Sequence, residues 1–321
     1  MKEWEQEVLG QYDIDVTCMR KVRSGILCES EQGLFLLRET KLSNPRLEML
    51  DEIGMYLQSE EFSDVDYLVR NSENQVVSEL EDGSRYVLKR WFAGKECDVK
   101  RESELLNATK NLTRLHKVLR KSNVESYKGE ELEGIYFRHN REMKKVRSFI
   151  RGRVDKGKFE NDYLKNFEVM YDWAEGTLEK LKASNYKNIS QYLIHGDYNY
   201  HNILMSHECV ATTNFEHFEK NIQVTDLYYF LRKAMEKHDW DVRLGEKMLN
   251  YYQRFQSITK DELEYMGILM AYPEKFWKAA NAYSRAKKAW IPAKSLEKLE
   301  LVTKQLESKE EFLAKVLDFR L

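Results

Sequence analysis

The stretch Tyr192-Leu193-Ile194-His195-Gly196-Asp197-Tyr198-Asn199-Tyr200-His201-Asn202-Ile203-Leu204-Met205 decides how the rest of this chain is read. Apolar triplets at both ends bracket a polar middle, which predicts a short strand, a loop and a second short strand. The loop holds His195, then Asp197, then Asn202 five residues beyond the aspartate. A carboxylate so placed can orient and deprotonate an acceptor hydroxyl, and an amide oxygen at that interval can help hold a magnesium ion. The same residues would also suit a polar hairpin whose Asp and Asn side chains satisfy turn backbone and do nothing more. The flanking sequence has to choose between the two.

At 321 residues the chain is long enough for two domains or lobes. Lys and Arg number 52 against 54 Asp and Glu, a net charge of −2, so composition gives no sign of a nucleic-acid binder. Abundant tyrosine and only 3 prolines mark a folded protein rather than a disordered one. No apolar run approaches the ~20 residues that span a bilayer, so no membrane association is expected. The acidic start Met1-Lys2-Glu3-Trp4-Glu5-Gln6-Glu7 lacks the apolar core of a secretory leader. Cys18, Cys28, Cys97 and Cys209 are scattered without a Cys-x-x-Cys pair, which suggests reduced thiols and a cytoplasmic location.

Upstream of the loop, the first ninety residues read as strands around one helix. Strands are expected over Val16 to Met19, Ile26 to Glu29 and Leu34 to Glu39, with Arg20 to Gly25 a basic turn. Pro45 opens a helix through Leu57, with Asn44 as N-cap and Leu47, Leu50, Ile53 and Leu57 on one face. A meander follows through Val65-Tyr67-Val69, Val76 to Leu80 and Tyr86 to Phe92. Past Gly94 the pattern turns helical: one helix ends near His116, residues 122–134 read as loop, and Phe159 to Leu181 form a long amphipathic helix. The basic run Arg141 to Lys158 reads as a solvated helix face or as an anion site. After the loop, Cys209 to Glu216 makes a strand able to pair with Ile203 to Met205, and Asp226 opens a helix face of Leu227, Phe230, Leu231, Ala234 and Met235. Further helices follow over 241–256, 260–270, 273–290 and 294–319, with Pro273 and Pro292 as boundaries.

Four stretches carry a resemblance: Tyr86 to Asp98, His195 to Asn202, Asp226 to Lys233, and Ala280-Asn281-Ala282-Tyr283 through Lys288-Ala289-Trp290-Ile291-Pro292. On them the chain resembles the aminoglycoside/choline-kinase-like superfamily and, more narrowly, the CotS-type spore coat proteins of endospore-forming bacteria. The likeness covers nearly the whole length, and His-Gly-Asp-x-x-x-x-Asn is its most specific part. It implies an α+β, bilobal, protein-kinase-like fold of the aminoglycoside phosphotransferase type. A β-rich nucleotide-binding lobe would span 1–89 and a helical lobe with the catalytic loop 90–321. Asp197 would be the catalytic base, Asn202 a magnesium ligand, and His195 would pack beneath the loop and brace it. Backbone around Leu88, Arg90 and Phe92 would bond adenine of ATP. Asp226 would anchor the loop, or serve as a helix N-cap.

Three positions depart from the family pattern. Arg38 stands where such kinases carry a phosphate-pairing lysine, with Glu52, or Glu48 one turn earlier, as its expected carboxylate; an ordinary surface ion pair is the alternative. Asn214 replaces the metal-binding aspartate, and an amide oxygen brings no charge to a site that usually relies on carboxylates. Glu216 either reaches the metal or faces solvent. The strand-turn-strand at Gly25 has one glycine, not a Gly-x-Gly-x-x-Gly loop. ATP and Mg2+ are therefore expected at a weakened site.

Two functions follow from the resemblance. One is a spore-coat protein with weak or no catalysis, made in the mother-cell cytoplasm and binding other coat proteins. The other is an ATP-dependent phosphotransferase on a small hydroxyl- or amino-bearing acceptor. In the second, Tyr272, Phe276, Trp277, Tyr283 and Trp290 would line an acceptor pocket, although their spacing also fits a helix core. A metallohydrolase built from His195, His201, His207 and His217 fits no zinc spacing. His116 reads as a helix-end residue favoured by the dipole.

Overall fold

A computed structural model describes residues 2–285 and 293–321. Helix α1 (Glu3–Leu9) leads into β1 (Val16–Val22), β2 (Gly25–Ser30) and β3 (Gly33–Glu39), followed by α2 (Asn44–Ser59). The two-residue strands β4 (Leu68–Val69) and β5 (Ser78–Glu79) precede β6 (Arg85–Arg90), β7 (Lys95–Glu96) and α3 (Glu102–Leu119). Helices α4 (Leu132–Arg151) and α5 (Lys158–Ala183) come next. Short strands β8 (Tyr192–Ile194), β9 (Ile203–Met205), β10 (Val210–Thr212) and β11 (Glu219–Asn221) surround the central loop. The chain closes with α6 (Val224–Met235), α7 (Val242–Gln253), α8 (Lys260–Ala271), α9 (Glu274–Arg285), α10 (Ala293–Lys304) and α11 (Leu306–Val316).

These elements pack as two compact units, residues 1–128 with 191–230, and residues 129–190 with 231–321. In the first unit the main sheet runs β1-β2-β3-β6-β4, antiparallel throughout, with β5 also on β6. One sheet face buries Cys28, Phe35, Leu37 and Leu88 against Val8, Leu9 and Tyr12 from the α1 segment. Side chains alternate along a strand, so the opposite face carries Leu36 and Arg38 of β3. Leu36 pairs with Lys89 and Arg38 with Val87, which sets Lys89 on that same face. Elsewhere in the unit, β10-β9-β7 form one small sheet and β11-β8 another, and the central loop runs between β8 and β9.

The second unit is helical. The basic run starts on α4 and ends at the first residue of α5, and three of its cations are ion-paired: Arg147 with Glu168, Arg153 with Glu160, Lys158 with Glu300. The aromatics expected around an acceptor are packing instead. Tyr272 stacks on Tyr136 at 3.7 Å, Phe276 on Tyr163 at 4.6 Å, and Trp277 on His139 at 3.4 Å. Tyr283 donates to Glu160. Trp290 and Pro292 lie outside the described residues.

Several local expectations shift. The turn after β1 shrinks to Arg23-Ser24, because β1 extends through the basic residues to Val22. The helix N-cap is Ser43, with Asn44 already helical. Residues 65–80 hold little ladder, only β4 and β5 with an isolated bridge from Val65 to Thr212, and burial there falls on Val65, Asp66 and Leu68 instead of alternating through Tyr67 and Val69. The 122–134 loop ends early, since α4 starts at Leu132. The strand from Cys209 stops at Thr212, because Asn214 takes left-handed backbone with φ 65°. Among the described residues no helix is long and apolar enough to cross a membrane.

Candidate active site

The loop after β8 is held from below by one buried carboxylate. Asp226, in the first turn of α6, accepts the His195 N–H at 2.8 Å and the Gly196 N–H at 2.9 Å. It also faces His116 Nε2 at 3.3 Å, so His116, in the last turn of α3 as expected, is in addition a buried partner of this anchor. Gly196 is required here: its φ is 80°, and a Cβ would overlap the His217 carbonyl oxygen.

His195 is fully buried and bonded on both ring nitrogens. Nδ1 lies 3.2 Å from the Asp197 N–H and Nε2 2.9 Å from the Thr213 carbonyl. A backbone N–H must donate and a carbonyl must accept, which fixes the neutral Nε2–H tautomer. Burial pushes the imidazole below its ordinary value, against the opposing pull of Asp226. His195 therefore braces the loop, and does so as a neutral ring.

Asp197, Asn202, Asn214 and Arg38 form one chain of hydrogen bonds. Asn202 Nδ2 donates to the Asp197 carbonyl at 2.8 Å and to its carboxylate at 3.0 Å. Asn214 Nδ2 donates to Asn202 Oδ1 at 2.9 Å, and Arg38 Nη1 donates to Asn214 Oδ1 at 3.0 Å. A carboxylate only accepts and a guanidinium only donates, so the two ends of this chain dictate how both amides are turned. Asp197 and Asn202 from the loop and the two departures, Asn214 and Arg38, are thus brought together.

Arg38 finds its carboxylate on Glu216, at 3.2 Å, and not on α2. Glu48 is taken by Arg70, and Glu52 is exposed beside Met55 and Tyr56. The reason is local: Phe215–His217 forms a 3-10 turn after the left-handed Asn214, and this swings Glu216 inward instead of along a strand. Lys89, only 1% exposed, bonds Glu216 at 3.0 Å and Asp66 at 3.3 Å. Asp66 also accepts the Asn214 N–H at 2.8 Å. Burial raises the Asp66 carboxyl despite Lys89. Burial acts in the same direction on Glu216, but there Lys89 and Arg38 together outweigh it and hold the carboxyl low. Sequence reading missed Asp66 and Lys89. A lysine inside Val87-Leu88-Lys89 was the available signal for one; Asp66 offered none.

Much of the 88–92 backbone expected to bond adenine is already paired within the sheet. Leu88 sits between strand partners Leu37 and Val69, and the Arg90 and Trp91 N–H groups already donate to Tyr67 and Leu34 carbonyls. Because β6 runs to Arg90, backbone not claimed by these sheet pairings starts at Phe92 and runs toward Gly94.

The donors do not fit a divalent cation in the usual way. Both Asn oxygens already accept N–H donors, and Glu216 and Asp66 are each paired with a cation. Among the described residues no group of three or more His, Cys, Asp or Glu is arranged to hold a metal ion. His201 pairs with Glu96 at 2.6 Å rather than converging with other histidines.

No family model matches the sequence, and no curated protein matches it either. Solved structures do match. An aminoglycoside phosphotransferase from Alicyclobacillus acidocaldarius superposes with a TM-score of 0.85 at 17% identity, covering 98% of this chain and 95% of its own. Spectinomycin phosphotransferase, solved with ADP and spectinomycin, gives 0.69 at 10% identity over 95% and 97%. Amicoumacin kinase, solved with AMP-PNP and Ca2+, gives 0.64 at 14% over 97% and 94%. With its small antiparallel sheet and its helical remainder, the chain has the α+β, kinase-like fold of the aminoglycoside phosphotransferases.

Proposed function

We propose that this chain is a kinase-like protein of the spore coat, of the CotS type, with a degenerate ATP site and weak or no catalysis. It would act in coat assembly by binding other coat proteins, after synthesis in the mother-cell cytoplasm. The observation that carries the degenerate-site reading is the bond between Asn214 Nδ2 and Asn202 Oδ1 at 2.9 Å. The two side chains that would flank the metal are both neutral, and each of their amide oxygens already accepts an N–H, from Asn214 and from Arg38. Phosphoryl transfer depends on neutralising charge at the moving group, so losing an anionic metal ligand weakens the step that matters most. The coat assignment is supported by the four sequence stretches quoted above. In this reading residues 1–89 supply the nucleotide lobe and 90–321 the catalytic-loop lobe, with Phe92 onward presented to adenine.

A second reading, an active phosphotransferase on a small hydroxyl- or amino-bearing acceptor, is favoured by a different observation. The loop presenting Asp197 is fully braced by His195 and Asp226, as a working base would need. Incubation of the purified chain with ATP and a panel of aminoglycosides and amino alcohols separates the two. Negligible phosphoryl transfer, with the protein present in the coat fraction of spores, fits the first. Transfer that disappears in a folded Asp197→Ala variant would establish the second.

A further inference from the structure

We propose that the site binds nucleoside di- or triphosphate without a divalent cation, with the Arg38 guanidinium taking the cation's place against the phosphates. The proposal rests on the nucleotide reading above and concerns how that same site is wired.

Arg38 donates to Asn214 Oδ1, the very atom that would have to ligate a metal at this position. A divalent ion on that oxygen would sit within a few ångströms of a guanidinium bound to it, and like charges at that range repel strongly in a part-buried site. The guanidinium is also held in place. Glu216 grips it at 3.2 Å, and Glu216 is itself fixed by Lys89 at 3.0 Å. Among the described residues both of these Arg38 contacts run through Nη1. Its side chain remains 34% exposed, which leaves an edge of the fork for an incoming oxyanion.

Of the two cations that share Glu216, Lys89 is 1% exposed and Arg38 is 34% exposed, so an incoming oxyanion meets the guanidinium and not the ammonium. A fixed guanidinium cannot follow the transferring phosphoryl group as a bridging ion does, so binding survives where turnover does not.

The test is calorimetric titration of the full chain with ADP and with ATP, once in EDTA and once in excess Mg2+. Dissociation constants within about twofold of each other in the two buffers are expected. Arg38→Gln should weaken ADP binding in EDTA at least about tenfold, one charge-assisted contact's worth. Its melting curve without nucleotide reports whether it has folded. Should that variant fail to fold, the EDTA and Mg2+ comparison on the unaltered chain decides alone. Binding seen only with Mg2+ would overturn the proposal and leave the nucleotide reading standing. No binding in either buffer would overturn both.

Discussion

Asp226 holds His195 by its backbone, accepting the residue's N–H at 2.8 Å with one carboxylate oxygen while the other accepts from Gly196 at 2.9 Å. The catalytic-type loop is thus hung on a helix rather than on its own turn. Asp226→Ala would leave both N–H groups without an acceptor and should cost about 3–5 kcal/mol. Asp226→Asn keeps one acceptor and should cost about 1–2 kcal/mol. Urea unfolding at neutral pH measures both. A loss well under 1 kcal/mol for the alanine variant would show that other contacts position the loop.

Gly196→Ala places a Cβ against the His217 carbonyl oxygen at a φ of 80°. Strain and overlap together should destabilise by about 2 kcal/mol or more. The melting temperature should fall by several degrees, and a variant melting with the unaltered protein would mean the loop backbone readily adopts another path.

Two histidines make the fold acid-sensitive. Burial lowers His195 and takes His139 from 6.5 to about 4. A histidine depressed in the fold contributes its full share of stability above the unfolded value, near pH 6.5. That share is lost as pH drops through the folded value. The urea midpoint should therefore decline between pH 7 and pH 4.5. His139→Phe keeps a flat ring on Trp277, stacked at 3.4 Å in the native pair, and should show a shallower decline. Parallel curves for the two proteins would remove His139 from the account.

Lys89 is almost wholly buried between Asp66 and Glu216. Lys89→Met removes the cation, leaving Asp66 without a charged partner and Glu216 with Arg38 alone, which should cost about 3–5 kcal/mol. Adding Asp66→Asn to it should restore more than 1 kcal/mol, since the stranded charge goes with it. Purely additive losses would mean that the two side chains do not act as a pair.

The fold was legible where local chemistry and burial agree. The apolar triplets around the loop became β8 and β9, and the period of Leu47, Leu50, Ile53 and Leu57 became the buried face of α2. The loop motif placed Asp197 and Asn202 within one hydrogen bond of each other. What could not be read were pairings between distant segments. The partner of Arg38 lies 178 residues away and was assigned to the nearest helix, because periodicity reveals faces and says nothing about which carboxylate a turn will swing inward. Asp66 lies between Val65 and Tyr67, in a segment whose alternation read as strand, and that period carried no sign that the aspartate is buried against Lys89.

The left-handed backbone at Asn214 bears on how such a site can change over generations. With φ at 65°, asparagine and aspartate are the side-chain-bearing residues that fit most readily, so a substitution by aspartate meets little steric resistance. The new acid would nevertheless emerge beside Arg38 and be captured there as an ion pair. A carboxylate free to meet a cation at this position thus takes two coupled substitutions, one at 214 and one at Arg38, and the first alone yields only an ion pair.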